Sequence, residues 1–229
     1  MPIGTISSMR PLTSYSKVQA IVGNLIRNRA FQMRRSRLAK LTYLDVGCGP
    51  NTHKDVINLD YLWHPKIDVC WDVLKGLPYS DQSMQGIFSE HCLEHFHLKN
   101  ALRLLADFHR VLKPSGVLRL IVPDAESYLR TYVSQSEGDM SQRFPFQDRE
   151  TQRPLWTPLH SVNRVYYQDR DSPFGHQTMY DFQMLKTMLV HCGFANVVRY
   201  EFGRGSDPVL ILDTPSRKAE SLYLEATKS

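Results

Sequence analysis

The stretch YLDVGCGPNTHKDVINLD, residues 43–60, decides how this chain is read. Its front half has the apolar, β-rich character of a short buried strand and runs straight into Gly47 and Gly49. Glycine at such a place lets a backbone approach a ligand closely and adopt turn conformations that other residues resist. Its back half reaches a second strand pattern that ends on an acid, Asp60. Only ten residues separate Gly49 from Asp60, which leaves room for barely one helical turn between them.

Working outward, strand patterns recur at 42–46, 56–59, 67–71, 85–89 and 117–122, each short, rich in Val, Ile, Leu and aromatics, and bounded by Gly, Pro or Asp. A helix is predicted over 98–112, with Leu98, Ala101, Leu102, Leu105, Phe108, Val111 and Leu112 on one face and KPSG stopping it. A second is predicted over 180–194, with Asp181 as its N-cap and Gly193 at its end, followed by strands at 196–202 and 221–227 that would close the sheet. Strand–turn–helix–strand order argues for an α/β parallel sheet, in which ligands bind beyond the carboxyl ends of the strands. Residues 123–180 break the rhythm with five prolines and read as an inserted lid or loop region.

The 229 residues suit one domain with an appendage, and no apolar run approaches the ~20 residues needed to span a bilayer. The N-terminus lacks the apolar core of a signal peptide, and the four cysteines form no C-x-x-C pair, so reduced thiols in a cytoplasmic protein are expected. Net charge is +5, yet all of the excess lies at one end. Eight basic residues and no acid precede Asp45, leaving 20 basic against 23 acidic residues in the remainder. Residues 16–40 carry apolar positions at helical spacing, so 1–41 reads as a basic N-terminal helical arm on a domain covering 42–229. The arm packs on that domain or faces phosphates or a membrane, which leaves peripheral contact at the inner membrane face open through 16–40.

Polar groups collect at successive strand ends. Asp60 can accept both hydroxyls of a ribose, Asp72 suits an adenine amino group with Val73 against the ring, and Ser89, Glu90 and His91 end the fourth strand. This is an adenosine site in outline. A nicotinamide dinucleotide would need G-x-G-x-x-G opening a helix to hold its pyrophosphate, whereas the run here is GCGPNTH with no third glycine.

LDVGCGPN, INLD, WDVLKGLPYSDQSMQGIFSEHCLEHF and FHRVLKPSGVLRLIVPD, in that order, resemble the class I S-adenosylmethionine (SAM) dependent methyltransferases over about 43–124. HQTMYDFQMLKTMLVHCGF and ESLYLEATK resemble a small bacterial subgroup associated with surface-polysaccharide and sugar pathways. The resemblance implies a Rossmann-like sheet of about seven strands, mostly parallel, with the acceptor region at about 123–180 inserted after strand five, and SAM as cofactor. It implies that Asp45, Gly47, Cys48 and Gly49 line the methionine end, that Asp60 holds the ribose and Asp72 and Val73 the adenine, and that Glu90 and His91 lie beneath the methyl sulfonium. The family usually has a full helix where this chain has ten residues, so the glycine turn would need cover from elsewhere, and 16–40 is the expected source.

The implied reaction is O-methylation of a glycan, sugar or other small acceptor by SN2 transfer. A hydroxyl acceptor needs a base, and His91, His95 and Asp124 are the expected catalytic residues, with Glu94 also within reach of the rim. Asp124 is equally suited to cap the next helix. Asp124, Trp156, His160, His176 and Tyr180 are the expected acceptor contacts. His91, Glu94 and His95 spell H-x-x-E-H, a zinc-peptidase signature when it lies on a long helix. Here it follows a sheet strand, and no metal is expected. A nucleic-acid methyltransferase using the basic arm, and a non-catalytic subunit binding a partner through it, are the alternatives, although residues 16–40 have no interleaved aromatics beyond Phe31 and nucleic acid is not the expected partner.

Overall fold

A computed structural model describes residues 16–34, 36–134, 162–163, 165–166 and 175–229. Seven strands form one sheet: β1 Tyr43–Val46, β2 Ile57–Asp60, β3 Val69–Cys70, β4 Met84–Glu90, β5 Leu112–Pro123, β6 Phe194–Tyr200 and β7 Ser221–Lys228. Their order is β3-β2-β1-β4-β5-β7-β6, with the first five strands parallel and β7 antiparallel to both β5 and β6. This is the expected Rossmann-like α/β architecture. The reversal between β1 and β4, on either side of which the chain winds in opposite directions, is where such sheets open a crevice for ligands.

α1 Lys17–Ile26 precedes the sheet, and α2 Leu98–Val111 joins β4 to β5. α2 buries Ala101, Leu104, Leu105, Phe108 and Val111 against Leu44, Ile87, Leu118 and Leu120. The expected stripe was one position off at its start, since Leu98 is exposed and Leu104 takes its place in the core. α3 Ala125–Ser134 follows β5, so the region assigned to an irregular lid begins as a regular helix. α4 Phe182–His191 is capped by the Asp181 carboxylate, which accepts from the Met184 N–H, and buries Leu185 and Leu189 on the same face as α2. KPSG does not simply stop α2: Leu112 already pairs with Met84, and the residues before Val117 bulge from the strand with Ser115 at φ 63°.

The other face has a different cover. No α-helix stands between β1 and β2 or between β2 and β3. In its place the segment linking β6 to β7, residues 201–220, crosses under the sheet as far as β1. Leu210 is fully buried against Phe88, Ile121 and Tyr223, and Tyr43 of β1 donates to Asp207 at 2.9 Å. Arg119, in the middle of β5 and without solvent exposure, anchors this segment. It donates twice to Asp213, at 2.7 and 2.6 Å, once to Glu225 at 3.0 Å and once to the Arg204 carbonyl at 2.8 Å. Asp213 in turn accepts from the Gly203 N–H, and Glu225 from the Ser206 N–H. The expectation that 16–40 covers the glycine turn is therefore corrected: this C-terminal segment provides the cover, and Ile26 alone reaches the cluster around Cys48.

The arm itself is not one helix. α1 ends at Ile26, Asn28 turns at φ 62°, and 3-10 turns follow at Ala30–Arg34 and Leu38–Lys40. The break has a cause in the sheet. β3 is an edge strand, and Gln32 satisfies it by accepting from the Cys70 N–H and donating to the Cys70 carbonyl, while the Asn28 side chain accepts from the Asp72 N–H. Asn28 at φ 62° and the 3-10 turn that carries Gln32 bring both side chains to that edge. Arg27 lies over the Tyr61 ring at 3.8 Å and Arg37 pairs with Asp68 at 2.6 Å, so two of the arm's cations are turned inward.

Replacing Arg119 with Met leaves Asp213 and Glu225 buried without their cation. Urea unfolding should show a loss of about 3–5 kcal/mol, the usual cost of breaking a buried ion cluster by removing one partner. Adding Asp213→Asn and Glu225→Gln should recover part of it.

Candidate active site

The glycine turn owes its shape to two different constraints. Gly47 has φ 78°, and a Cβ there would meet the Cys92 sulfur at 2.5 Å, so the turn is pressed against the segment that follows β4. Gly49 has φ 53° and nothing within 4 Å of its missing Cβ, so space stands open above the turn. The Asp60 carboxylate locks the loop by accepting from the Gly49 N–H at 2.8 Å and from the Leu62 N–H at 2.7 Å. A carboxylate has about four acceptor sites, so two remain for ribose hydroxyls.

Three acids converge on this turn. Asp45, almost fully buried in β1, has its pKa pushed well above the usual range by burial first and then by Asp60 and Glu90. Burial also raises Asp60, against the pull of its two backbone donors. The Glu90 carboxylate accepts from the Thr214 hydroxyl and, at 3.0 Å, from the Thr214 N–H. The same Thr214 accepts from Asn51 at 3.3 Å, tying the β6–β7 segment to the glycine turn. A cleft of about 370 Å³ opens between them. A ligand carrying sulfonium and ammonium charges together with two ribose hydroxyls fits this donor set, because it supplies the cations the crowded carboxylates lack and donors for Asp60. Asp72 starts a 3-10 turn by accepting from the Leu74 N–H, with Val73 half-buried beside it, and Cys48 faces inward toward Ile67 and Cys70.

A second group lies at the end of β4. His91 adopts φ 49°, a left-handed backbone that a non-glycine residue holds only when its surroundings enforce it. Its Nε2 stands 2.8 Å from the Ser221 hydroxyl and its Nδ1 3.5 Å from Glu94. Burial, then Arg217, His176 and His95, drives its pKa well down, so the imidazole is neutral. Glu94 is fully buried and its pKa is pushed up to about 8, chiefly by burial. His176 joins from a distant part of the chain because the N–H groups of Gln177 and Thr178 both donate to the Glu94 carbonyl. Its ring meets His95 edge-on at 4.8 Å, and burial lowers its pKa to about 3.

The structure thus brings His91, His95 and His176 together and adds Glu94, which belongs to the cluster more intimately than its place beside the expected bases suggested. It separates the others. Asp124 pairs with Arg199 at 2.9 Å and accepts from the Ser127 N–H as α3 begins, so it does the work of a helix cap. Tyr180 is 1% exposed, bridges Asp124 through the backbone and donates to the Leu93 carbonyl, which makes it a packing residue and not an acceptor contact. Trp156 and His160 lie outside the described residues.

The Glu94 carboxyl keeps its proton in the folded chain up to about pH 8, whereas an unfolded glutamate loses it near 4.5. Between those values the folded state binds the extra proton, so stability falls as pH rises through the window. In metal-free buffer, urea unfolding should show wild type losing stability from pH 5.5 to 7.5, with a shallower slope in Glu94→Gln.

No curated protein matches the chain in sequence. The model of the family described as "Methyltransferase domain" matches residues 64–120, from the β2–β3 loop through most of β5 and less than half of the chain. Solved structures of similar shape include a SAM-dependent methyltransferase of Thermotoga maritima, described as a possible histamine N-methyltransferase, at 14% identity over 82% of each chain with a TM-score of 0.47. A SAM-dependent methyltransferase of Archaeoglobus fulgidus is 15% identical over 92% of this chain and 94% of its own, with a TM-score of 0.48. One from Mesorhizobium loti is 16% identical over 82% of this chain and 91% of its own, with a TM-score of 0.46. Likenesses this weak carry nothing about reaction or acceptor. The methyltransferase-domain match takes in β3, β4, α2 and most of β5, and with them Glu90, His91, Glu94 and His95 but not Asp45, Asp60 or His176; over those residues the chain is similar to a methyltransferase domain, and SAM is the cofactor that this similarity implies.

Proposed function

We propose that this chain methylates a hydroxyl oxygen of a sugar, a glycan or another small acceptor. The supporting observation is the buried cluster of His91, Glu94, His95 and His176 beyond β4, adjoining the acids at the glycine turn. SAM supplies an electrophilic methyl group on a sulfonium. A hydroxyl is a poor nucleophile and must give up its proton as the new bond forms. The cluster suits that: Glu94 and His91 are buried, and the neutral imidazoles of His91 and His176 stand beside a carboxyl whose affinity for protons is raised toward neutrality. The acceptor O–H proton passes to the cluster, the O–CH₃ bond forms, and the S–CH₃ bond breaks with its electron pair left on the sulfur of S-adenosylhomocysteine. Asp60 fixes the ribose, and the acids Asp45 and Glu90 favour the cationic end of SAM over the neutral product, which assists turnover.

Calorimetry should show wild type binding SAM and S-adenosylhomocysteine in the micromolar range, with Asp60→Ala at least ten-fold weaker, about 1.4 kcal/mol. Incubation of the wild type with labelled SAM and separate panels of nucleotide sugars, glycans and RNA should transfer label to a sugar hydroxyl. Label in RNA alone would replace this reading with the nucleic-acid one.

A second observation concerns the arm. Val18, Ile21 and Leu25, spaced along one side of α1, are 67%, 60% and 68% exposed, and Phe31 is 57% exposed. With the eight cations and no acids that precede Asp45, this stripe suits an anionic lipid surface, where apolar side chains enter the headgroup layer and cations meet phosphates. Among the described residues no helix is long and apolar enough to cross a membrane. Flotation with vesicles containing phosphatidylglycerol should carry the wild type at low salt and not Ile21→Glu/Leu25→Glu. Equal flotation of both, or of neither, would remove the membrane role.

A further inference from the structure

The cluster beyond β4 contains a donor set that proton transfer alone does not account for. One carboxylate oxygen of Glu94 and one ring nitrogen each of His95 and His176 lie within 4.8 Å of one another. Glu94 has no side-chain exposure, and neither of its oxygens has a hydrogen-bond partner among the described residues. The same holds for Nδ1 of His176. A carboxyl fully buried with both oxygens unanswered is costly unless something supplies the missing contact. The approach of the three residues is not a chance of rotamers. Gln177 and Thr178 donate their N–H groups to the Glu94 carbonyl at 2.7 and 3.2 Å, and the Thr178 hydroxyl donates to the Phe96 carbonyl at 2.8 Å. Two chain segments some eighty residues apart are thereby stitched side by side with His176 facing His95.

We propose that Glu94, His95 and His176 bind a divalent metal ion of the zinc class. Two imidazoles and one carboxylate form a three-ligand set that leaves a fourth tetrahedral position open, as catalytic zinc sites do, and imidazole favours zinc over magnesium or calcium. Ligand atoms about 2.0–2.1 Å from zinc stand about 3.4 Å apart, so the widest pair of the set, within 4.8 Å, must tighten by up to about 1.4 Å. Rotation of the Glu94 and His176 side chains suffices for that, since the backbone hydrogen bonds already hold the two segments. His91, with Nδ1 3.5 Å from Glu94, is the neighbour that would orient the carboxylate. The open position gives the ion a role in the O-methylation proposed above: it would hold the acceptor's oxygen and ease transfer of its proton to His91, the member of the cluster that is not a ligand. That role rests on the methyltransferase reading, whereas the binding site itself does not.

The test uses the full chain stripped with a chelator. Calorimetric titration with zinc chloride should give one strong site per chain, and magnesium chloride at the same concentrations should give none. Glu94→Gln and His176→Asn should each weaken zinc by at least ten-fold while SAM binding and the melting profile stay close to wild type. Cobalt(II) loaded into wild type offers a readout independent of the variants: visible bands of a four-coordinate ion without thiolate charge-transfer absorption support the site. No zinc uptake by wild type, uptake undiminished in both variants, or a thiolate-bound cobalt spectrum would overturn it. Zinc binding without SAM binding would sink the methyltransferase reading and spare the metal site, and SAM binding without zinc would do the reverse.

Discussion

A guanidinium with no water around it governs one whole face of this molecule. Arg119 projects from the centre of the sheet, where an apolar residue would be the ordinary choice, and its charge is tolerable only because Asp213 and Glu225 meet it with short, paired hydrogen bonds. Glu225 comes from the neighbouring strand β7, but Asp213 comes from the segment linking β6 to β7. The ion cluster therefore compels that segment to lie under the sheet. Once there, it buries Leu210 on Phe88 and Ile121, reaches Tyr43 through Asp207, and delivers Thr214 to Glu90. The ten-residue link between Gly49 and Asp60 becomes tolerable for this reason: the surface that a connecting helix would cover is covered from the other end of the chain.

The rim of the sheet is divided by charge. On the side of β1 and β2, Asp45, Asp60 and Glu90 crowd together around a glycine turn whose backbone N–H groups can answer only some of their oxygens. Repulsion and burial raise the free energy of these carboxylates, and a cationic ligand relieves both. On the side beyond β4, imidazoles dominate, and burial together with Arg217 keeps His91 and His176 uncharged. In the reaction proposed above, the methyl group would cross from the acidic side toward the imidazole side. The strained backbone of His91 stands at the boundary, held by its N–H to the Ile121 carbonyl and its ring against Ser221.

Local sequence made much of this legible. The strands were readable because short β-branched runs ended in Gly, Pro or Asp, and the acids at the strand ends were readable because Asp60, Asp72 and Glu90 close or follow such runs. The end of α4 followed from Gly193, which takes φ 95° there, and its start from Asp181. The arm was misread as one helix because its apolar spacing continues past Ile26. Where it breaks, the Asn28 and Gln32 side chains hydrogen-bond to the edge strand β3, a partner far away in sequence that the local apolar pattern does not announce. Tyr180 was misplaced for a similar reason: an aromatic next to a helix cap looks like a pocket residue until the strand it bridges is known.

By itself the sequence determined the order of elements, the glycine turn, the acids at successive strand ends and the shortness of the link between the first two strands. These are properties of residues close together in the chain, where pattern and spacing fix the backbone. Only the tertiary structure decided what covers the turn and which imidazoles meet. Arg119 finds Asp213 across 94 positions, and Glu94 finds His176 through backbone hydrogen bonds between segments with no shared pattern. Burial then sets the chemistry of the groups so assembled, because the cost of charge depends on the surroundings a side chain ends in and not on its neighbours in sequence.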